Sequence, residues 1–407
     1  MEFRIDSAVL TETVAWAARV LPARSPVPVL GGLLLEAADG RLRVSGLDYE
    51  ASARIEADAE VALDGRALVL GRRLLDICKV LPHGPVECAV EGARLSVTSG
   101  EARFGLSLLP LEDYPAPPQL PAWRGAVEAD AFAAAVGQVA VAAGRDDSLP
   151  VLTGIRLALD GTTMTLAATD RYRYAVRTLD WKPETPGAGE GAESGSGTGA
   201  ESGSGEGARP GEGAGPGDGA GAGNIADVVV PARRLVEIAR SLAGAGTVRL
   251  ALDAGSLGFE SGGLRTTTRL LDGRLPRHDK LFALGEHAVA VTERAPLVEA
   301  VKRVAVVAEG DSPVQLAFDG TTVHLQAGYE DDVASQRLPA VLTGAETMTV
   351  AFNPGYLLDA LASFEAPRLG LRLLGPGQRA LLTDATGPAD GGAGSHRHLL
   401  MSVKPLV

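Results

Sequence analysis

A chain of 407 residues with 45% hydrophobic content is long enough to bury two or three domain cores. Its formal charge of −13 excludes tight holding of nucleic acid by a broad basic surface, since such binding grows with the number of phosphates neutralised. A protein with only a locally basic lining stays possible, because the distribution of charge matters more than its sum. No run reaches about 18 apolar residues, and the alternating start Met1 to Ser7 lacks the basic region and apolar stretch of a secretory signal, so a cytoplasmic protein is expected.

From the N-terminus, the first predicted helix runs from Leu10 to Leu21, with Leu10, Val14, Ala17 and Leu21 on one face. Pro28-Val29-Leu30 and Gly32-Leu33-Leu34-Leu35 lead through a strand to the hairpin dipeptide Asp39-Gly40, where glycine accepts positive φ, and into the strand Arg41 to Ser45. Gly71-Arg72-Arg73-Leu74-Leu75-Asp76-Ile77 begins a second helix. Cys78 and Cys88 have no histidine at ligand spacing and match neither a zinc site nor a disulfide framework, so buried free thiols are expected.

The same order returns twice. A helix from Phe132 to Ala143 carries Phe132, Val136, Val139 and Ala143 on one face. It precedes Pro150-Val151-Leu152, Gly154-Ile155-Arg156-Leu157, the turn Asp160-Gly161 and the strand Thr163 to Ala167. Ala232-Arg233-Arg234-Leu235-Val236-Glu237-Ile238 begins the matching second helix. In the third copy a helix from Leu297 to Ala308 precedes Pro313-Val314-Gln315-Leu316, Asp319-Gly320 and the helix start Gly355-Tyr356-Leu357-Leu358-Asp359-Ala360. The pattern predicts an α+β protein of three repeated domains, at 1–124, 125–286 and 287–407, each an antiparallel sheet layer covered by two helices on one face.

The repeat spacing locates an insertion. Val29 to Val151 spans 122 positions and Val151 to Val314 spans 163, whereas Leu74 to Leu235 spans 161 and Leu235 to Leu357 spans 122. The excess falls on the Gly/Glu/Ser/Ala-rich tract 183–224, which has no side chains able to build a core and is expected to be a disordered, solvated loop inside the middle domain. Seven acids against Arg209 give it −6, which leaves −7 for the rest of the chain.

Three like units suit a scaffold, a carbohydrate binder or a ring, and particular residues separate these. Arg103-Phe104-x-Leu106 followed by Leu109-Pro110-x-x-Asp113-Tyr114-Pro115 closes the first repeat, Thr169-Asp170-Arg171-Tyr172-Arg173-Tyr174-Ala175-Val176 lies in the second, and Phe352-Asn353-Pro354-x-Tyr356-Leu357 in the third. Together they resemble the bacterial DNA polymerase III beta subunit, or sliding clamp, family over essentially the whole chain except the insertion. The resemblance implies a ring closed by a head-to-tail homodimer, with helices lining the hole, that encircles duplex DNA without sequence readout and tethers a replicative polymerase, the clamp loader and repair proteins through a short linear motif. A specialised second clamp copy, or a repeat scaffold that does not encircle DNA, are the alternatives.

Carried onto this chain, the resemblance implies a subunit contact of Phe104 and Leu106 against Ala305 and Val306 of the other copy, residues that would otherwise read as core. Arg72, Arg73, Arg233 and Arg234 open equivalent helices, where cations oppose the helix dipole at a cost of about 0.3–1 kcal/mol each. Duplex phosphates would offset that cost, joined by Arg24, Lys79, Arg145, Arg240, Lys302 and Arg303, and a plain solvated face is the other reading. The partner groove implied by the resemblance uses Leu152, Thr169, Arg171, Tyr172, Arg173, Tyr174, Pro276, Lys280, Leu281, Asn353, Tyr356, Leu399, Met401 and Val403. Where the family ends in Met-Pro-x-Arg or Lys, this chain has Met401-Ser402-Val403-Lys404 and then Pro405-Leu406-Val407, a change able to reshape the groove.

Chemistry is not expected. The six histidines form no metal pair of the His-Glu-x-x-His kind, no nucleophile triad has a recognisable spacing, and no phosphate loop ends in Lys-Ser/Thr, so neither catalytic residues, metal nor cofactor are predicted. His396 and His398 share one strand face and read as surface histidines.

Overall fold

The computed structural model describes residues 1–22, 27–116, 118, 120–184, 226–308, 312–329, 332–387 and 394–404. The expected disordered tract, Arg24 and the Pro405-Leu406-Val407 tail lie outside the described residues, apart from the first two tract positions.

Seven helices are described: α1 (Ser7–Ala17), α2 (Gly71–Cys78), α3 (Ala129–Ala140), α4 (Ala232–Leu242), α5 (Asp279–Phe282), α6 (Arg294–Val304) and α7 (Pro354–Ala362). Three pairs pack side by side, α1 with α2, α3 with α4 and α6 with α7, one pair to each repeat. The first helix of every pair starts three residues before its predicted start, because the polar cap and first turn precede the apolar stripe from which it was read. Asp6 accepts the Ala8 N–H at 2.8 Å ahead of α1, and Glu128 accepts those of Asp130 and Ala131 at 3.0 and 2.6 Å ahead of α3. After α1 and α6 the chain tightens into the 3-10 turns Ala18–Val20 and Ala305–Val307.

Each helix pair covers its own apolar core. Leu10, Val14, Leu33, Leu42 and Leu74 fill the first, Phe132 and Phe259 meet at 5.7 Å in the second, and Phe318, Phe352 and Leu357 anchor the third. Burying each such side chain stabilises the fold by about 1.5–3 kcal/mol. Cys78 and Cys88 are buried free thiols, and burial pushes both up to about 12.

The antiparallel sheets do not stop at the domain boundaries. Nine strands form one sheet, in which Leu264–Arg269 of the middle domain pairs with Ala51–Asp58 of the first over five residue pairs. Twelve form another, in which His396–Met401 of the last domain pairs with Arg173–Asp180 of the middle one, again over five pairs. Sequence alternation tells which face of a strand is buried but not which strand lies at its edge, so this continuity had no sequence signal.

His396 and His398 correct one expectation. They are 7% and 0% exposed, on the face of their strand that carries buried Leu400, and their rings lie 6.2 Å apart. His396 meets Ser363 Oγ at 2.8 Å, whereas neither ring nitrogen of His398 has a hydrogen-bond partner among the described residues. Burial lowers both, His396 to about 3 with help from nearby Arg177, and His398 well below the usual histidine value. Among the described residues no helix is long and apolar enough to cross a membrane, and no group of three or more His, Cys, Asp or Glu side chains could hold a metal ion.

Candidate functional site

The junction between the middle and last domains gathers most of the groove residues. At the end of strand Thr163–Thr169 the chain turns sharply, with Arg171 at φ 82°, a left-handed conformation that costs a non-glycine residue about 1 kcal/mol. Asp170 holds that turn by accepting the N–H groups of Tyr172 and Arg173 at 3.0 and 3.1 Å, while Thr169 Oγ1 donates to the Arg173 carbonyl at 2.7 Å. The turn throws Tyr172 outward and sends Arg173 and Tyr174 in. Arg173, 4% exposed, donates to Asp170 at 2.9 Å and to Asp359 of α7 at 2.7 Å, and lies 4.5 Å from the Tyr356 ring centre. Tyr356 begins α7 under the cap of Asn353 Oδ1, which accepts its N–H at 3.1 Å, and stacks on Tyr172 at 6.1 Å.

Beside this polar knot lies a separate apolar cluster. Tyr174, Val176, Leu381, Leu399 and Phe282 are buried together, with Leu281 and Leu284 packed against them. The Tyr174 hydroxyl donates to the Pro276 carbonyl, and burial raises it to about 12. Arg379 ties down the α5 segment by donating to the carbonyls of Leu281 and Lys280 at 2.8 and 3.3 Å. Around this floor, Tyr172 (62%), Met401 (39%) and Val403 (41%) are large apolar side chains exposed to solvent, and Met401 N–H binds the Tyr172 carbonyl at 2.9 Å. Exposed apolar surface rimmed by polar groups marks an interaction site. Leu152 is half-buried in the 3-10 turn Pro150–Thr153, and the Lys280 side chain is exposed.

Sequence reasoning missed Phe282, Leu381 and His278. The three rings of Tyr174, His278 and Phe282 meet at 5.4–6.3 Å. Only Phe282 carried a signal, as an aromatic next to Leu281. Ser402 is accommodated in place of proline: its N–H donates to Gln378 O at 2.9 Å, a bond proline cannot make, and its hydroxyl donates to the same carbonyl at 2.7 Å.

Two strand edges stand out by the repeat. Ala102–Ser107 is the counterpart of the two strands that cross the junctions from their C-terminal sides, and Asp332–Leu338 is the counterpart of their partners. Neither has a neighbour on its outer side among the described residues. Phe104 is half-buried on the first edge, and Leu106, 5% exposed, belongs to the core of its own domain. Next to the second edge, Ala305 is half-buried and Val306 stands 83% exposed.

The cations differ in how firmly they are engaged. Arg73, Arg145 and Arg240 are exposed, Lys79 is exposed with Asp76 at 4.0 Å, and the Arg233 side chain is 93% exposed with Glu237 at 3.7 Å. Arg234 is engaged instead, donating to Asp48 of the first domain at 2.9 Å and to Glu237 at 3.3 Å. Arg72 leans on the Leu21 and Pro22 carbonyls at 3.4 and 3.3 Å, Lys302 pairs with Glu299 at 2.9 Å, and Arg303 donates to Gln336 at 3.0 Å.

Three like domains, with sheets running through both junctions and two further matching edges without a neighbour among the described residues, define a modular, repeat-built protein. The comparisons give the family. The DNA polymerase III beta subunit N-terminal domain matches residues 1–118, its central domain 126–190 and 220–277, and its C-terminal domain 280–389. The beta sliding clamp of Streptomyces coelicolor is 43% identical over 99% of both chains, and the beta sliding clamp homolog GriR of Streptomyces muensis is 40% identical over 99% of both. The crystal structure of the DNA polymerase III subunit beta from Pseudomonas aeruginosa superposes with a TM-score of 0.84 at 24% identity, covering 99% of this chain and 100% of that one. The chain belongs to the DNA polymerase III beta subunit family, the bacterial sliding clamps, which act without catalysis.

Proposed function

We propose that two copies of this chain close head to tail into a ring that slides on duplex DNA and holds the replicative polymerase and other proteins by short peptide motifs, in a cytoplasmic setting. The observation that carries this reading is the pair of matching unpaired edges. Ala102–Ser107 of one copy, set against Asp332–Leu338 of the next, repeats the strand pairing used at both internal junctions. It would bring Phe104 towards exposed Val306. Such a head-to-tail contact closes when the rotation per domain fits. The divisions at 124/125 and 286/287 belong to the same proposal.

Exposed Arg73, Lys79, Arg145, Arg233 and Arg240 supply screened contacts to phosphate, with Lys302 and Arg303 beside them and Arg72 already partly satisfied. Arg234 serves the junction more than the DNA. The groove floored by Tyr174, Phe282, Leu381 and Leu399 and rimmed by Tyr172, Met401 and Val403 takes the apolar side chains of the partner motif, with Arg173 and Asn353 fixing the local backbone.

The test is retention on circular against linearised plasmid, after loading, in high salt. Topological linkage resists salt and electrostatic binding does not. Retention on circles with run-off from linear ends is the expected result, and equal loss from both would overturn encirclement.

A further inference from the structure

The junction between the first and middle domains holds a concavity where the other junction is filled. Ser52 and Thr267 are paired across the first junction in the register in which Tyr174 and Leu399 are paired across the second. Tyr174 and Leu399 bring a ring and an aliphatic chain to their position. Ser52 and Thr267 are small, and their hydroxyls meet at 2.6 Å. Both line a cavity of about 640 Å³. Ligand pockets span about 300–1,000 Å³.

The walls differ in chemistry from the partner groove. Arg43, Arg54, Arg66 and Arg265 line the cavity with Glu36 as its one acid, and the segment joining the domains covers it with Leu111, Tyr114, Pro115 and Leu120. The guanidinium groups are held in place from the sheet side. Glu56 accepts from Arg43 at 2.9 Å and Arg54 at 2.8 Å, and Glu36 lies 2.8 Å from Arg66. Burial alone would raise the Glu56 carboxyl, but these two arginines outweigh it and hold it at about 2, so their anchor stays anionic. Arg54 Nε is buried and has no hydrogen-bond partner among the described residues. A buried donor without an acceptor is unfavourable, and one acceptor arriving in the cavity would relieve it.

We propose that this cavity is a second binding site, for an extended peptide segment that presents one carboxylate side chain flanked by apolar ones. The arginine wall recognises the carboxylate, since guanidinium and carboxylate match in a planar fork. The cover of Leu111, Tyr114, Pro115 and Leu120 takes the flanking apolar groups. A run of phosphates fits less well, because Glu36 stands in the wall and the cover carries no cation.

The test titrates the full chain with a fluorescein-labelled peptide, Gly-Leu-Glu-Leu-Gly, and with the same peptide carrying Gln for Glu, followed by anisotropy. The acidic peptide should bind saturably and the Gln peptide at least tenfold more weakly. The pair Arg54→Gln and Arg265→Gln should weaken the acidic peptide at least tenfold. Arg66→Gln, at a side chain 64% exposed and with an amide still able to donate to Glu36, should weaken it severalfold with little change in the melting curve. Met401→Ala, in the partner groove, should change it less than twofold. Equal affinity for both peptides, or no saturable binding, overturns the inference. So does loss in Met401→Ala alone, which would seat the peptide in the groove and leave that site's reading intact. Displacement of the acidic peptide by oligothymidylate, abolished by the arginine changes, would assign the cavity to phosphate and overturn it as well.

Discussion

The two internal junctions share a backbone and differ in almost everything attached to it. Each is crossed by one strand pairing of five residue pairs, and each begins at an aspartate turn: Asp48 accepts the N–H groups of Glu50 and Ala51 at 2.8 and 2.7 Å, as Asp170 accepts those of Tyr172 and Arg173. The ionic bridge is then built with opposite polarity. At the first junction the helix supplies the cation, Arg234 of α4, to Asp48 of the turn. At the second the helix supplies an acid, Asp359 of α7, to Arg173 at the strand start. The positions facing each other above the bridge are Ser52 and Thr267 in one and Tyr174 and Leu399 in the other. Backbone register and buried faces therefore fix how domains join, while side chains that register does not constrain decide what each junction binds.

The largest break in this comparison should come from Arg173→Ala. It strands Asp170, 14% exposed, beside Asp359, and losing one partner of a buried ion pair costs about 3–5 kcal/mol. Arg234→Ala, at a side chain 24% exposed, should cost about 1.5–3 kcal/mol. Urea unfolding of both variants checks the order, and a larger loss in Arg234→Ala would reverse the ranking of the junctions.

Acid should separate the junctions next. The position of His398 is taken by Thr266 at the first junction, so only the second holds histidines that remain neutral in the fold. Their folded pKa values lie below the unfolded one, so the unfolded chain binds more protons as pH falls. Stability is then full above about pH 6.5 and falls by about 1.4 kcal/mol per pH unit for each histidine, for His396 until pH about 3. Hydrogen exchange at pH 7 and 4.5 should show Arg173–Asp180 losing protection ahead of Ala51–Asp58. His398→Leu, which sacrifices no hydrogen bond, should hold stability at pH 7 and flatten the acid limb.

Smaller effects sharpen the picture. Ser402→Pro removes the N–H and the hydroxyl that donate to Gln378 and the acceptor of the Gln378 N–H, and should cost about 1–3 kcal/mol in a denaturant titration. Arg233→Ala, beside the bridging Arg234 but 93% exposed, should leave stability within about 0.5 kcal/mol. It should nevertheless lower the salt dependence of DNA binding, measured with the ring unloaded.

Much of this was legible because repetition is written in the sequence at fixed spacing. The hairpin turns at Asp39-Gly40 and Asp160-Gly161 carry the positive φ values expected of such dipeptides. Tyr174 and Leu399 were named from motifs, yet their pairing across the junction depends on an edge that alternation cannot specify. His396 and His398 were read as surface residues by composition, although their spacing with Leu400 placed all three on one face. His278 and Phe282 flank one short helix and Leu381 lies on a strand about a hundred residues later, so Leu381 is brought into this cluster only by tertiary packing.

Sheets that run unbroken through both domain boundaries also decide where the chain can bend. Pulling two of its domains apart loads five residue pairs of one strand pairing together, and the bridge of Arg173 or Arg234 with them. Both junctions of one chain are therefore expected to resist bending. In the proposed ring of two copies the compliant places would be the seams between them, so parting one seam would leave the copies tethered at the other, and reclosure would be an intramolecular event that does not depend on protein concentration.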